Sequence, residues 1–188
     1  MGAMRYVLVV FGALLLAVVA WYEISPGHTL NEMRKAAHAG NAAKLSNWVD
    51  YQALKVDLKG EIRREILLEG NRRGAERDPL IKLGTEFAVA LVPVGVELIV
   101  SPEAVQAMFD ANSAASTTGR GPGAIAKGGV AVMPVAIPNE GVEIDRNGLS
   151  EFKVRTKGKD GAAVFRRYGF GWKLVGVDMP YRFDRGPT

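Results

Sequence analysis

Cysteine is absent from this chain of 188 residues, and histidine occurs only twice, as His28 and His38. The absence of thiols excludes disulfides, thiolate metal sites, iron–sulfur clusters, a cysteine nucleophile and acylation of a lipoprotein cysteine. Two histidines are too few for a multi-histidine metal centre, and neither has the neighbouring serine and aspartate pattern of a catalytic triad. We therefore predict a protein that is not an enzyme and that holds no cofactor and no metal.

The chain also lacks a large net charge of either sign. The chain has 24 Lys and Arg against 20 Asp and Glu, a net charge of +4, and 48% of its residues are apolar. This composition is typical of a folded domain and not of a disordered chain. Two nearby acids, Glu143 and Asp145, share one face of a predicted strand, and we interpret them as solvated side chains and not as metal ligands.

Charged side chains are absent from residues 6–22, which read YVLVVFGALLLAVVAWY. A membrane-spanning helix needs about 17–25 such residues, so this segment is at the short end of that range. Arg5 precedes it, and Trp21 and Tyr22 end it, where aromatic rings favour the membrane interface. We predict an N-terminal membrane anchor over residues 1–22, with Arg5, Trp21 and Tyr22 at the interfaces.

The orientation of this anchor follows from Arg5. Positive flanks stay in the cytoplasm, which predicts a single-pass protein of the bacterial inner membrane whose main domain, residues 23–188, is periplasmic. A cleaved signal peptide is the alternative, because a small residue, Ala20, follows Val18 and Val19. A buried core helix is a third interpretation, disfavoured because the segment is apolar on all sides. An exported domain also argues against nucleic-acid binding.

Helical signals follow the anchor. Ser25, Pro26 and Gly27 indicate a connector over residues 23–28, and Thr29 with Glu32 has the form of a capping box for the next helix. Predicted caps for three further helices are Asn41, Asp50 and Ser101, the last followed by Pro102. Apolar residues recur every four positions in the helix that Asp50 begins; they are Leu54, Leu58, Ile62 and Ile66.

Residues 80–100 are strongly apolar but contain Lys82, Glu86 and Glu97. Charges near the bilayer centre are costly, so we favour a fully buried or membrane-proximal helix, kinked near Pro93, over a second span. Residues 111–129 are rich in Gly, Ala and Ser and predict a flexible loop. Its glycines lack the flanking strand and the Gly-Lys-Ser/Thr of a phosphate-binding loop.

Strand patterns dominate the rest of the chain. We predict strands over residues 130–137, 142–145, 149–157, 162–168 and 172–179, with a hairpin signal at Asn147 and Gly148. The fold class is therefore α+β, an N-terminal transmembrane helix and a helical half followed by an antiparallel β-meander. Tight turns at residues 159–160 and 169–170 would pair Val154 with Phe165 and Phe165 with Leu174.

This register predicts one apolar face, which the helices cover, and one basic face. Arg167 would lie against the ring of Trp172 on the apolar face. The basic face would gather five cations, namely Lys153, Arg155, Lys157, Arg166 and Lys173. We interpret these cations as a contact for an anionic partner such as a lipid headgroup or an acidic protein, with an ordinary solvated face as the alternative.

Two stretches resemble a known family: residues 25–62, which contain SPGHTLNEMRKAAHAGNAAKLSNWVDYQALK, and residues 149–180, which end in VFRRYGFGWKLVGVDMP. They are similar to an uncharacterised proteobacterial family of membrane-anchored domains of unknown function. The resemblance implies a fold and no catalytic residues. The order of helices and strands also resembles the cystatin-like and nuclear-transport-factor-like folds, an analogy that fixes no function.

Three functions agree with these features. The first is a non-enzymatic, membrane-anchored periplasmic interaction domain, an accessory or assembly subunit of an inner-membrane protein complex, with membrane lipid and an integral membrane protein as partners. The second is a module that binds a small apolar or lipidic ligand between the meander and residues 87–100. The third and weakest is a hydrolase with a buried carboxylate pair.

Overall fold

A computed structural model describes residues 2–117, 142–157 and 161–179. Five helices come first: α1 (Gly2–His38), α2 (Ala42–Ser46), α3 (Tyr51–Arg72), α4 (Pro79–Ile99) and α5 (Pro102–Thr117). Four strands follow: β1 (Val142–Asn147), β2 (Glu151–Thr156), β3 (Ala162–Tyr168) and β4 (Gly171–Asp178). The predicted α+β class and antiparallel meander are therefore confirmed. The predicted strand at residues 130–137 and the turn at residues 159–160 lie outside the described residues.

Helix α1 is continuous, so the predicted connector at residues 23–28 is wrong. Pro26 has no N–H to donate to the carbonyl of Tyr22, four residues earlier, and a helix interior normally excludes it. The hydroxyl of Ser25 donates to that carbonyl instead, at 3.2 Å. The indole N–H of Trp172 donates in turn to Ser25 Oγ at 2.9 Å, in the buried core. A contact with the sheet thus stabilises a helix that local sequence predicts to break.

The helix caps were predicted with mixed success. Thr29 is buried within α1 and begins no helix. The side chains of Asn41, Asp50 and Ser101 accept hydrogen bonds from the backbone N–H three residues later, as N-caps do. Helix α5 extends to Thr117, so the predicted loop at residues 111–129 begins too early.

The sheet has the order β1-β2-β3-β4, and all its pairs are antiparallel. Phe165 pairs with Leu174 and Arg167 with Trp172, as predicted. The predicted pairing of β2 with β3 is wrong by two residues, because Phe152, and not Val154, lies opposite Phe165. Side chains alternate between faces with a period of two, so this shift left the two predicted faces unchanged.

Three aromatic rings form the centre of the core. Phe152 and Phe165 stack at 4.7 Å between centroids, and Trp172 meets Phe152 edge-on at 4.9 Å. The helices cover this face, as predicted. The apolar residues that they contribute to the same cluster include Leu30, Met33, Leu45, Leu54 and Leu58.

The β4 edge of the sheet is occupied by the segment that leads into α3. Leu174 donates its N–H to Trp48 O at 2.8 Å, and its carbonyl accepts from Asp50 N at 2.9 Å. Asp57 then accepts from Val177 N at 2.8 Å. A Cβ on Gly176 would lie 2.5 Å from Asp57 Oδ2, so a larger residue there would displace the Asp57 carboxylate and disturb its hydrogen bond with Val177. The pairing places α3 along β4 and occupies the outward backbone groups of Leu174 and the N–H of Val177, which hinders the addition of another strand at this edge.

Candidate functional site

The first half of α1 extends away from the folded body. The large apolar side chains of residues 4–21 are between 49% and 75% exposed, while Ser25, Leu30 and Met33 farther along are buried. At 1.5 Å per residue this exposed half is about 27 Å long, close to the ~30 Å hydrocarbon core of a bilayer. Its length and composition fit a membrane anchor and a signal sequence equally well. Arg5 lies in its first turns.

Trp21 and Tyr22 connect this exposed half to the body. Trp21 donates its indole N–H to Phe170 O at 3.4 Å, and the Tyr22 hydroxyl donates to Gly148 O at 3.0 Å. The guanidinium groups of Arg146 and Arg167 lie over the Tyr22 ring, at 4.7 Å and 5.4 Å from its centroid. Both predicted interface aromatics therefore lie within one turn of the first buried residue of α1, Ser25, although Ile24, which precedes Ser25, is still 65% exposed. Their contact with lipid stays a prediction.

The five predicted anion-binding cations lie on the face of the sheet opposite the aromatic core, but carboxylates accompany most of them. Four ion pairs form there: Lys153–Asp178 at 2.7 Å, Arg155–Asp145 at 3.7 Å, Lys157–Glu143 at 3.9 Å and Arg166–Glu151 at 3.5 Å. The hydrogen bond to Asp178 raises the pKa of Lys153. Lys173 lies over the Tyr168 ring at 5.4 Å.

These pairs weaken the attraction that the face offers to an anion, because each carboxylate cancels the field of a neighbouring cation at longer range. They also account for Glu143 and Asp145, which pair with cations across the strands. The arrangement favours the alternative of an ordinary solvated face, and the anionic partner stays a prediction.

The outer face of α4 is a surface that our sequence analysis missed. Six large apolar side chains on this helix are between 51% and 78% exposed; they are Leu80, Leu83, Phe87, Leu91, Val94 and Leu98. Successive members are three or four residues apart, which places them on one side of a helix, as in a coiled-coil seam. This spacing is visible in the sequence and would have identified the face. We call these six residues the α4 stripe.

Of the two alternatives predicted for α4, full burial is therefore wrong, and a position near the membrane stays a prediction. Only Val92 and Val96 are buried, and its inner side packs along α3. It is also long and apolar enough to cross a membrane. However, α3 would have to enter the membrane with it, and α3 contains Lys55, Lys59 and several further charges. A second span is disfavoured for this reason.

Glu97 fixes the end of α4 against α3. Its two carboxylate oxygens accept from Lys55 Nζ and Lys59 Nζ, each at 2.6 Å. These two hydrogen bonds lower the pKa of Glu97 to about 2. A lowered pKa in the folded state stabilises the protein above the unfolded pKa of 4.5, and this stabilisation is lost as the pH falls toward 2.

We expect Glu97→Gln to lower the melting temperature at pH 7, and we expect the difference from the parent protein to shrink as the pH falls from 4.5 toward 2. Circular dichroism melts of the full chain in detergent measure both. Glu86→Gln is the matched control, because Glu86 lies 4.0 Å from Lys82 on the same helix and makes one weak contact. A difference that grows on acidification would contradict the ionic pairing of α3 with α4.

An open groove of about 970 Å³ lies between α3 and α4. Its lining mixes apolar Ile66 and Ile81 with charged Glu65, Glu69 and Arg73. The predicted apolar pocket was placed elsewhere, between the meander and residues 87–100, but Phe87 is 65% exposed and α4 packs on α3. Binding of a small ligand stays a prediction. Within the three described segments, no group of three or more His, Asp or Glu residues is arranged to hold a metal.

Comparison with known proteins gives one family. The model of the family described as "Protein of unknown function (DUF2939)" matches residues 15–108, half of the chain. The match begins within the exposed half of α1 and ends in α5, so it includes the α4 stripe and not the sheet. No curated protein and no solved structure matches the chain.

Proposed function

The chain belongs to the DUF2939 family of proteins of unknown function, and because this membership names no activity, we propose a function from the exposed surfaces. The protein acts as a non-enzymatic interaction domain of the bacterial inner membrane. Helix α1 anchors it, the body is periplasmic, and the α4 stripe binds the apolar side of a periplasmic helix of an integral membrane protein or complex. In this role it is an accessory or assembly subunit.

The observation that carries this proposal is the α4 stripe. A surface helix normally turns its apolar side inward, yet α4 has six large apolar side chains on its solvent side in addition to its contact with α3. Exposed apolar patches of this kind mark interaction sites. The coiled-coil spacing favours a helix as the occupant, since a row of i, i+3, i+4 and i+7 positions is what an apolar partner helix recognises.

The charge of α4 favours a protein over the membrane surface as its partner. Helices that lie on membranes usually have several Lys and Arg on their polar side, which bind anionic headgroups. Helix α4 has Lys82 as its only cation against Glu86 and Glu97, a net charge of −1. Glu97 is paired with Lys55 and Lys59 of α3, so these three groups largely neutralise one another. Within the described residues, the surface around α4 therefore lacks the several unpaired cations of a membrane-surface helix, which favours a protein as the complement of the α4 stripe.

Because the anchor holds the protein in the membrane, a weak contact between the α4 stripe and its partner is sufficient for association. A membrane-held body meets membrane-held partners at a high effective concentration, so that modest affinity of the α4 stripe supports stable association. Arg5 before the apolar half of α1 supports a cytoplasmic N-terminus and a periplasmic body.

Photo-crosslinking tests the proposal. With a photoreactive amino acid at Leu83 or Leu91 of the full chain in its native membranes, we expect one discrete protein adduct. The same probe at Arg63, an exposed residue on α3, is the matched control and should give none. Charged substitutions at the neighbouring stripe positions, Phe87→Glu and Val94→Glu, should remove the adduct.

Three results would contradict the assignment. Equal adducts from Leu83 and Arg63 would show random collision. An adduct with lipid alone would make the α4 stripe a membrane contact. An adduct of twice the chain's own mass would make it a self-association surface and not a contact with another membrane protein.

A further inference from the structure

Two large apolar residues occupy turns of the sheet, where small and polar residues are usual. Leu149 lies between β1 and β2 and is 75% exposed, and Phe170 lies between β3 and β4 and is 83% exposed. Each follows a glycine with positive φ, Gly148 at 71° and Gly169 at 58°, which tightens the turn. Neither residue contributes to the core cluster. Packing within the fold therefore does not explain why these two positions have large apolar side chains.

Both turns lie against the same short part of α1. In an antiparallel meander the first and third connections are at the same end of the sheet. Here Tyr22 donates to the carbonyl of Gly148 in the first turn, and Trp21 donates to the carbonyl of Phe170 in the other. The two turns therefore flank α1 at the residues where its exposed apolar half ends.

We propose that Leu149 and Phe170 insert into the interface of the phospholipid bilayer that α1 crosses. The inference rests on the proposed anchor and adds a second mode of membrane contact. Leu149 and Phe170 then lie beside Trp21, a third large apolar side chain at the same end of the sheet. Leucine and aromatic side chains are the residues that enter the boundary between lipid headgroups and acyl chains. The body then contacts the membrane directly, and α1 is not its only attachment.

The charges near the turns suit the lipid headgroups. Arg146 and Arg167 lie over the Tyr22 ring, next to the two turns. Arg146 also pairs with Glu23 at 3.0 Å, and Arg167 donates to Gly169 O at 3.2 Å. Because Glu23 offsets the charge of Arg146, Arg167 is the cation that these contacts hold at the level of Tyr22, where the phosphate groups of a bilayer would lie if α1 spans it.

Depth-dependent quenching tests the proposal, and the absence of cysteine makes the labelling simple. The full chain is reconstituted into phosphatidylcholine–phosphatidylglycerol vesicles with one environment-sensitive dye, attached to Leu149→Cys or Phe170→Cys. We expect shallow lipid-borne quenchers to reduce the emission of both labels more than deep ones, at a depth of about 5–10 Å. The matched control is Leu80→Cys, since Leu80 is 78% exposed and begins α4. Its emission should be unaffected.

A third label, Leu14→Cys, separates this proposal from the anchor, because deep quenchers should reduce its emission most. Quenching at Leu14 without quenching at Leu149 and Phe170 would overturn the proposal and leave the anchor intact. No quenching at Leu14 would overturn both. Equal quenching at Leu80 and at the turns would show that the body lies on its side, which also contradicts the proposed contact.

Discussion

Replacing Leu14 and Leu15 with arginine is expected to release the protein from membranes. Both side chains lie near the middle of the exposed half of α1, at 60% and 52% exposure, so the folded body loses no contact. Each arginine at the centre of a membrane helix costs about 3 kcal/mol of insertion free energy. Two such costs remove most of the membrane fraction. Alkaline carbonate extraction measures the change as transfer from the pellet to the supernatant.

The control for this experiment is Leu14→Ala with Leu15→Ala, which shortens the same side chains without adding charge and should leave the protein in the pellet. Retention of the arginine variant in the pellet would contradict a spanning role for α1. Terminal sequencing of the membrane-bound protein distinguishes an anchor from a signal sequence. A mature chain that begins near Trp21 would show cleavage.

Replacing Phe152 with alanine is expected to have the largest effect on stability. Phe152 is 0% exposed and contacts the rings of both Phe165 and Trp172. Truncation of a buried phenylalanine to alanine lowers the free energy of unfolding by about 3–5 kcal/mol, because it leaves a cavity among side chains that cannot collapse fully. For a chain of this size that corresponds to a decrease in melting temperature of roughly 6–20 °C. Thermal unfolding followed by near-ultraviolet circular dichroism measures it.

Phe170→Ala is the matched control, since the same substitution is made in the same sheet at a residue that is 83% exposed. We expect its free energy of unfolding to change by less than about 0.5 kcal/mol. Equal destabilisation by the two variants would mean that Phe152 does not occupy the centre of the core.

The sheet could be predicted from sequence because its faces depend on parity and not on register. Phe152 and Val154 alternate with charged neighbours, and the two-residue error in pairing β2 with β3 moved no side chain to the other face. The error itself arose from the connection between these strands, whose length a sequence pattern does not fix. The caps at Asn41 and Asp50 were predictable for a related reason, since an N-cap depends on a contact only a few residues away.

The path of α1 could not be predicted in the same way. Ser25, Pro26 and Gly27 each disfavour a helix, so their intrinsic propensities predict that a continuous helix through them costs free energy. The burial of Ser25 and Pro26 against the sheet offsets part of that cost, and the hydrogen bond from Trp172, which lies 147 positions from Ser25 in the chain, contributes to this stabilisation. The residues around Ser25 therefore cannot indicate that Trp172 is its partner.

The exposed surfaces lie between these two cases. The helical spacing of Leu80, Leu83 and Phe87 can be recognised in the sequence. However, a stripe of apolar side chains on a helix is ordinarily the side that is buried. Only the packing of Val92 and Val96 on α3 shows that the stripe faces outward. The roles of Leu149 and Phe170 likewise depend on the proximity of their turns to Trp21 and Tyr22, which the fold alone creates.

The unbroken course of α1 has a mechanical consequence for how the body is presented. A helix that continues through Pro26 without a hinge transmits rotation, so the body and the segment before it turn as one piece. Adding a single residue after Ala20 would swivel the body by about 100° about the helix axis and displace it by about 1.5 Å. Neighbours fixed in the same membrane would then face another side of it. The number of residues in α1 thus determines the rotational orientation of the body about the helix axis, and not only its distance from the bilayer.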